Sequence, residues 1–347
     1  MKSITFLAIG FLLPVLQASV AISQTIAKPE ERIICAQLAY LKEVKQRVAK
    51  SHWPDFGRQV WEGEIRIMTP QSIFIVNPEK ASLDGQPYEE CACPVVKVVR
   101  LKDTVNTAFV MNTNFYDGIA ACSDWSISHK VIPGIDDTES WILMVLHEMF
   151  HQFQSRQPAF REQFMDMWHK KQYIPQDSVG RLYKKYPDFQ EQVQQENDLL
   201  LSCLQTDHSV HIDSMLHALL QIRQNRLATF RKISGFDIEP DENFEQIAEA
   251  GARYIEYHFA TGLVDQPADE SLAAIDANYR RHELYKSYSL QDQGRYLYIP
   301  TSKYFYALGF NSIRLLEKLG FPFRERLYSR KGVSFTALFK EYLETKK

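Results

Sequence analysis

Residues His147-Glu148-Met149-Phe150-His151 spell H-E-x-x-H. On a helix, two histidines four positions apart stand on one face, one turn from each other, and can grip a single zinc ion. The glutamate beside the first histidine can act as base on a water that the metal activates. These residue types at this spacing carry the chemistry of a zinc hydrolase, most often a peptidase. The plainer reading is a core helix whose two histidines are only hydrogen-bonded.

A helix must position them, and its signals are present. Pro133-Gly134 breaks the preceding chain, and Asp136 with Glu139 reads as a capping box. Thr138 to Gln154 contains neither glycine nor proline, and Gln157-Pro158 marks the stop. The apolar run Trp141 to Leu146 buries most sides of this helix, so Glu148 and the histidines need partners.

Catalytic zinc usually keeps three protein ligands and one open position. The best source of the third is the segment Asn243 to Glu256, where Glu245, Glu249, Arg253 and Glu256 share one helical stripe. One carboxylate would bind the metal, and others would orient the histidines. The competing reading is an acidic solvent face. His258 lies nearly opposite Glu249 and is a poor ligand for the same ion.

Around these segments the pattern is mixed. Pro29 to Lys50 reads as an amphipathic helix. Residues 64–68, 72–76, 95–99 and 107–111 read as strands, with turns at Asn77-Pro78 and Asp84-Gly85. After Gln154 the expectation is almost wholly helical, over residues 160–170, 188–204, 212–232, 243–259, 268–285 and 302–319. The fold class is α+β, with a small sheet lobe, the histidine helix and a helical lobe. The divisions expected are 1–23, 24–134 and 135–347. A site between the lobes would sit in a natural cleft.

The 347 residues are 45% apolar and carry a formal charge of −3, enough for a sizeable core and without a long block of one sign. Nucleic acid and anionic membrane are therefore poor partners. The basic stretches Arg223 to Lys232 and Arg280-Arg281 read as solvated helix faces. Lys2, the apolar stretch Phe6 to Leu16 and the small residues Ala18 to Ser23 have the three-part layout of a secretory signal, cleaved near Ser23 and Gln24. The apolar stretch is too short for a membrane span. A periplasmic or secreted protein is expected, with no lipid anchor and no propeptide. Five cysteines then remain, which leaves at least one unpaired, and none is expected to be catalytic.

His147-Glu148-Met149-Phe150-His151 followed by Glu249-Ala250-Gly251-Ala252-Arg253-Tyr254 resembles the gluzincin class of zinc metallopeptidases. Members of that class carry a glutamate ligand on a later helix, often within E-G-x-A-x-Y. Ala250 stands where glycine is usual. The run Tyr304 to Gly309, leading to Leu315 through Gly320, is similar to the ends of some secreted members, and the likeness in layout covers roughly residues 100 to 340. The resemblance implies a zincin-like fold and a zinc cofactor, with His147, His151 and Glu249 as ligands and Glu148 as general base. Glu245 is the second choice of ligand, by the spacing of the thermolysin-like branch. The 98 positions from His151 to Glu249 are long for the class and imply a helical insertion. No G-x-M-E-N is present, so aminopeptidase activity is not implied. The resemblance also implies an oxyanion donor from the C-terminal part, for which Tyr298, Tyr304 and Tyr306 are candidates, and a sheet edge for an extended peptide within residues 107–125. The substrate expected is a peptide or protein. A non-catalytic binding or scaffold protein of the same fold, and a zinc hydrolase of a non-peptide bond, are the other readings.

Overall fold

A computed structural model describes residues 28–79, 83, 85, 87–101, 108–169, 174, 176–207, 209–288, 290 and 303–346. The expected export signal and Tyr298 lie outside the described residues.

Helix α1 (Pro29–His52) leads into the short α2 (Pro54–Arg58). Six strands follow: β1 (Ile65–Met68), β2 (Ile73–Val76), β3 (Tyr88–Cys91), β4 (Val98–Leu101), β5 (Met111–Asn114) and β6 (Ile119–Ser123). They form one sheet in the order β3-β4-β2-β1-β6-β5. The β1–β6 pair is parallel and every other pair antiparallel. Ile65 and Ile67 point into the core and Arg66 and Met68 away from it, the alternation expected of a sheet buried on one face. Strands expected at 64–68 and 72–76 are found within one residue. Those expected at 95–99 and 107–111 begin three and four residues later, β3 was not expected, and β6 falls in the segment 112–125 that was expected only as a sheet edge.

The rest is helical: α3 (Trp125–Ser128), α4 (Thr138–Ser155), α5 (Pro158–His169), α6 (Gln176–Lys185), α7 (Pro187–Gln205), α8 (Ser209–Ser234), α9 (Glu239–Leu263), α10 (Glu270–Ala273), α11 (Tyr304–Lys318), α12 (Phe323–Leu327) and α13 (Phe335–Glu344). The described residues are thus mixed α+β with a single small sheet. No described helix is long and apolar enough to cross a membrane. One apolar core runs from α1 through the sheet and α4 to α9, α11 and α13.

Helix α4 lies at its centre, and every residue of α4 except Met144 is buried. Its capping box is one residue later than expected. Ser140 N donates to Asp137 Oδ1 at 2.7 Å, and Asp137 N donates to Ser140 Oγ at 3.1 Å. Glu139, freed from that role, accepts from the backbone N–H groups of Arg280 and His282. Gln152 fastens the other end of α4 to the sheet by donating to Glu64 O at 2.6 Å and Gly118 O at 2.9 Å. Helix α9 comes close alongside because residue 251 is glycine. A Cβ there would stand 2.4 Å from Phe150 Cε1 and 2.7 Å from the Tyr328 hydroxyl.

Two expectations are corrected. Residues 268–285 do not form one helix. Only α10 and a 3-10 turn at Glu283–Tyr285 are helical, and Arg281 and His282 take positive φ values of 49° and 66°. The interruption has a cause in Asp276, whose carboxylate accepts from Gln37, Thr138 and Asn278 N and so anchors a turn. The basic stretch on α8 is a solvated face only in its second half, where Arg231 and Lys232 are exposed. Arg223 and Arg226 are buried, paired with Glu196 of α7 and Glu242 of α9 at 2.6–2.9 Å. Buried cations need such partners. A disulfide joins Cys35 of α1 to Cys93, which follows β3, while Cys91, Cys122 and Cys203 are free.

Candidate metal centre

The helical spacing of α4 brings the two imidazoles together, with Nε2 of His147 2.9 Å from Nε2 of His151. Across from them α9 supplies Glu249, whose Oε2 stands 3.2 Å from His147 Nε2 and 3.6 Å from His151 Nε2. All three side chains are buried. Donors bound to a four-coordinate zinc at about 2.0–2.1 Å stand roughly 3.3 Å from one another. The observed triangle has that size, and the three residues are a group that could hold a metal ion. Glu245 is buried one turn earlier on α9 and does not join this triangle, so Glu249 is the carboxylate the fold delivers.

The far nitrogens fix how the rings present themselves. Nδ1 of His147 lies 2.5 Å from Glu256 Oε1, and the other oxygen of Glu256 accepts from Arg253 at 2.8 Å. Nδ1 of His151 lies 2.7 Å from Gln154 Oε1. The amide nitrogen of Gln154 donates to Ala248 O at 2.7 Å and to the Tyr328 hydroxyl at 2.8 Å, so its oxygen is the end facing His151. A carboxylate and an amide oxygen are acceptors only. Each Nδ1 therefore carries the proton, and each Nε2 turns a lone pair toward Glu249. With both Nδ1 atoms protonated, the two Nε2 atoms and Glu249 Oε2 make a converging set of acceptors that a cation would satisfy. Without a metal that cation is a proton. Burial pushes His147 down, yet the charges of Glu256 and Glu249 outweigh it and hold the imidazole up at about 10.

Glu148 points to the other side of the same opening. Its Oε2 accepts from Thr113 Oγ1 of β5 at 2.9 Å, and the hydroxyl stands equally close to the Glu148 carbonyl. The opening is a cleft of about 360 Å³, reached by His147, Glu148, His151, Glu249, Thr113 and Tyr306 among others. Phe115, Phe164 and Trp168 supply its apolar wall, and Phe115 sets its ring edge-on to His151 at 5.3 Å. Among the described residues β5 pairs with β6 alone, so its outer edge faces away from the sheet at the cleft.

The two described tyrosine candidates part company. Tyr306 lines the cleft with its hydroxyl on Glu249 and Arg253 over its ring at 4.8 Å. Burial, then the negative charge of Glu249, pushes its pKa well up, which keeps it a proton donor. Tyr304 is fully buried elsewhere and donates to Glu242 Oε2 at 2.7 Å within the Arg226 ion cluster. Tyr304 is therefore not a residue of the cleft, because its side chain stabilises the buried charges of α8 and α9. The Glu256 position was visible in the α9 stripe. Gln154 and Thr113 were not singled out: Gln154 sits three residues beyond His151 and was readable in principle, but nothing local marks Thr113.

Family models, curated proteins and solved structures were each compared with the chain, and none matches.

Proposed function

We propose that this protein is an exported zinc-dependent hydrolase of the gluzincin kind with a zincin-like fold, and that it cleaves peptide bonds. The observation that carries the reading is the convergence of two imidazole lone pairs and one carboxylate on a single point, beside a second carboxylate that faces open space. His147, His151 and Glu249 would hold the ion. Bound there, zinc would acidify water and polarise a carbonyl.

The remaining work falls to the chain's own residues. Glu148 takes a proton from the attacking water and passes it to the leaving amine. Thr113 donates to the same carboxylate and fixes the direction in which its free lone pairs point. Tyr306 keeps its proton and donates to the oxygen that gains negative charge in the transition state. An extended peptide laid along the outer edge of β5 would gain backbone hydrogen bonds, and the aromatic wall would receive a side chain. The Cys35–Cys93 disulfide supports an oxidising compartment, periplasmic or secreted.

The test is a mixed peptide library incubated with the purified protein, followed by zinc quantification. Chelator-sensitive cleavage with about one zinc held by His147 and His151 is the expected result. Bound zinc with cleavage of esters or other non-peptide bonds alone would move the protein to the non-peptide class. Bound zinc with no hydrolysis would make it a scaffold.

A further inference from the structure

Helix α9 carries a second histidine on its opposite side. His258 follows Glu249 by nine residues, which is half a revolution at 100° per residue. There it meets His52, the last residue of α1, and Glu317 of α11. One donor atom from each of the three lies within 4.8 Å of the others. The two imidazole rings stack with centroids 3.6 Å apart and planes 16° from parallel. Glu317 Oε2 stands 3.8 Å from His258 Nε2, an ion-pair separation too long for a hydrogen bond.

The surroundings leave this group incomplete. Nε2 of His258 is buried and has no hydrogen-bond partner. A buried ring nitrogen in that state is costly and needs an explanation. Glu317 is already oriented by its other oxygen, which accepts from the Tyr254 hydroxyl and from Arg324 at 2.8 Å. Arg324 in turn donates to the His52 carbonyl at 2.5 Å. The clamp holds one carboxylate oxygen and turns the second toward the histidines.

We propose that His52, His258 and Glu317 form a second metal site, for a divalent transition ion of the zinc class, independent of the centre on α4. Two imidazoles and a carboxylate are the donors such ions prefer.

Stacked rings aim their lone pairs side by side, so one ring must turn for both nitrogens to reach one ion. His52 is the ring that turns. It ends α1 and meets Tyr254 only at 6.5 Å, whereas His258, partly exposed as well, is wedged against Tyr254 at 4.2 Å and Tyr257 at 5.0 Å between ring centroids. That rotation makes this site the weaker of the two, and it fills second. Once filled it ties the end of α1 to α9 and α11, and so braces the helix that supplies Glu249 from its far side.

The experiment is a zinc titration of the metal-stripped protein, read by calorimetry and by elemental analysis. Two equivalents are expected, the second binding at least tenfold more weakly. His52→Ala and, separately, His258→Gln should each remove the weaker equivalent and leave the stronger. His147→Ala should remove the stronger and leave the weaker. A single equivalent that survives His52→Ala and His258→Gln would overturn the second site, as would two equivalents unchanged in both variants. A single equivalent lost in His52→Ala but kept in His147→Ala would uphold this site and sink the centre on α4, so the two proposals fail separately.

Discussion

Glu256 touches His147 on the side away from the candidate ion, with Oε1 2.5 Å from Nδ1, while Arg253 holds its second oxygen at 2.8 Å. This carboxylate binds no metal itself. It would set the tautomer and the angle of the ring proposed as ligand. Glu256→Ala should weaken zinc affinity about 10–100-fold, the range found for such outer partners. Arg253→Ala, which only loosens Glu256, should have the smaller effect. Competition against a chromogenic chelator measures both, and an unchanged affinity in Glu256→Ala would remove this residue from the site.

Glu148 and zinc binding should separate cleanly. Glu148→Gln keeps the shape of the side chain but cannot take a proton, so hydrolysis should fall by about 10²–10⁴-fold with zinc content unchanged. Thr113→Val should lower kcat less, since it removes one donor to Glu148 and leaves the base. Full activity in Glu148→Gln would end the peptidase mechanism proposed above.

The loop after α10 gives the fold a dependence on pH. Hydrogen bonding to Glu139 raises the pKa of His282 above 6.5, against the opposing pull of burial. A raised folded value means that protonation stabilises the fold. The contribution is complete below pH 6.5 and fades as pH climbs through the raised value. Urea midpoints measured across that range should fall with rising pH in the wild type. They should fall less in His282→Asn, a residue that tolerates the positive φ at this position.

The close approach of α4 and α9 rests on a missing side chain. Gly251→Ala would press a methyl group against Phe150 and Tyr328, at an overpacking cost of about 1–3 kcal/mol. Because those helices carry the histidines and Glu249, zinc affinity should drop along with stability. Phe150→Leu in the same chain should recover part of both. A Gly251→Ala protein as stable as the wild type would show that the two helices can part without loss.

Much of the centre was legible because helices announce themselves by period. His147, Glu148 and His151 lie within five residues, and Glu249 with Glu256 marks one stripe of α9. The strands that escaped notice are short or weakly β-prone. Strand β3 is Tyr-Glu-Glu-Cys and exposed at alternate positions, and β6 holds two alanines, a cysteine and a serine. The helix expected at 268–285 satisfied the apolar period through Leu272 and Ile275, but Asp276 found partners on α1 and α4 and turned the chain. Arg223 and Arg226 looked solvated because their neutralising partners, Glu196 and Glu242, are remote in sequence from one or both of them. Thr113 is of the same kind, since only the folded sheet brings it to Glu148.

The ligand triangle spans a stretch of chain that includes the whole of α5, α6, α7 and α8. Its two edges to Glu249 require α9 to lie beside α4. A chain cut before α9 therefore keeps both imidazoles and lacks the carboxylate that completes the triangle.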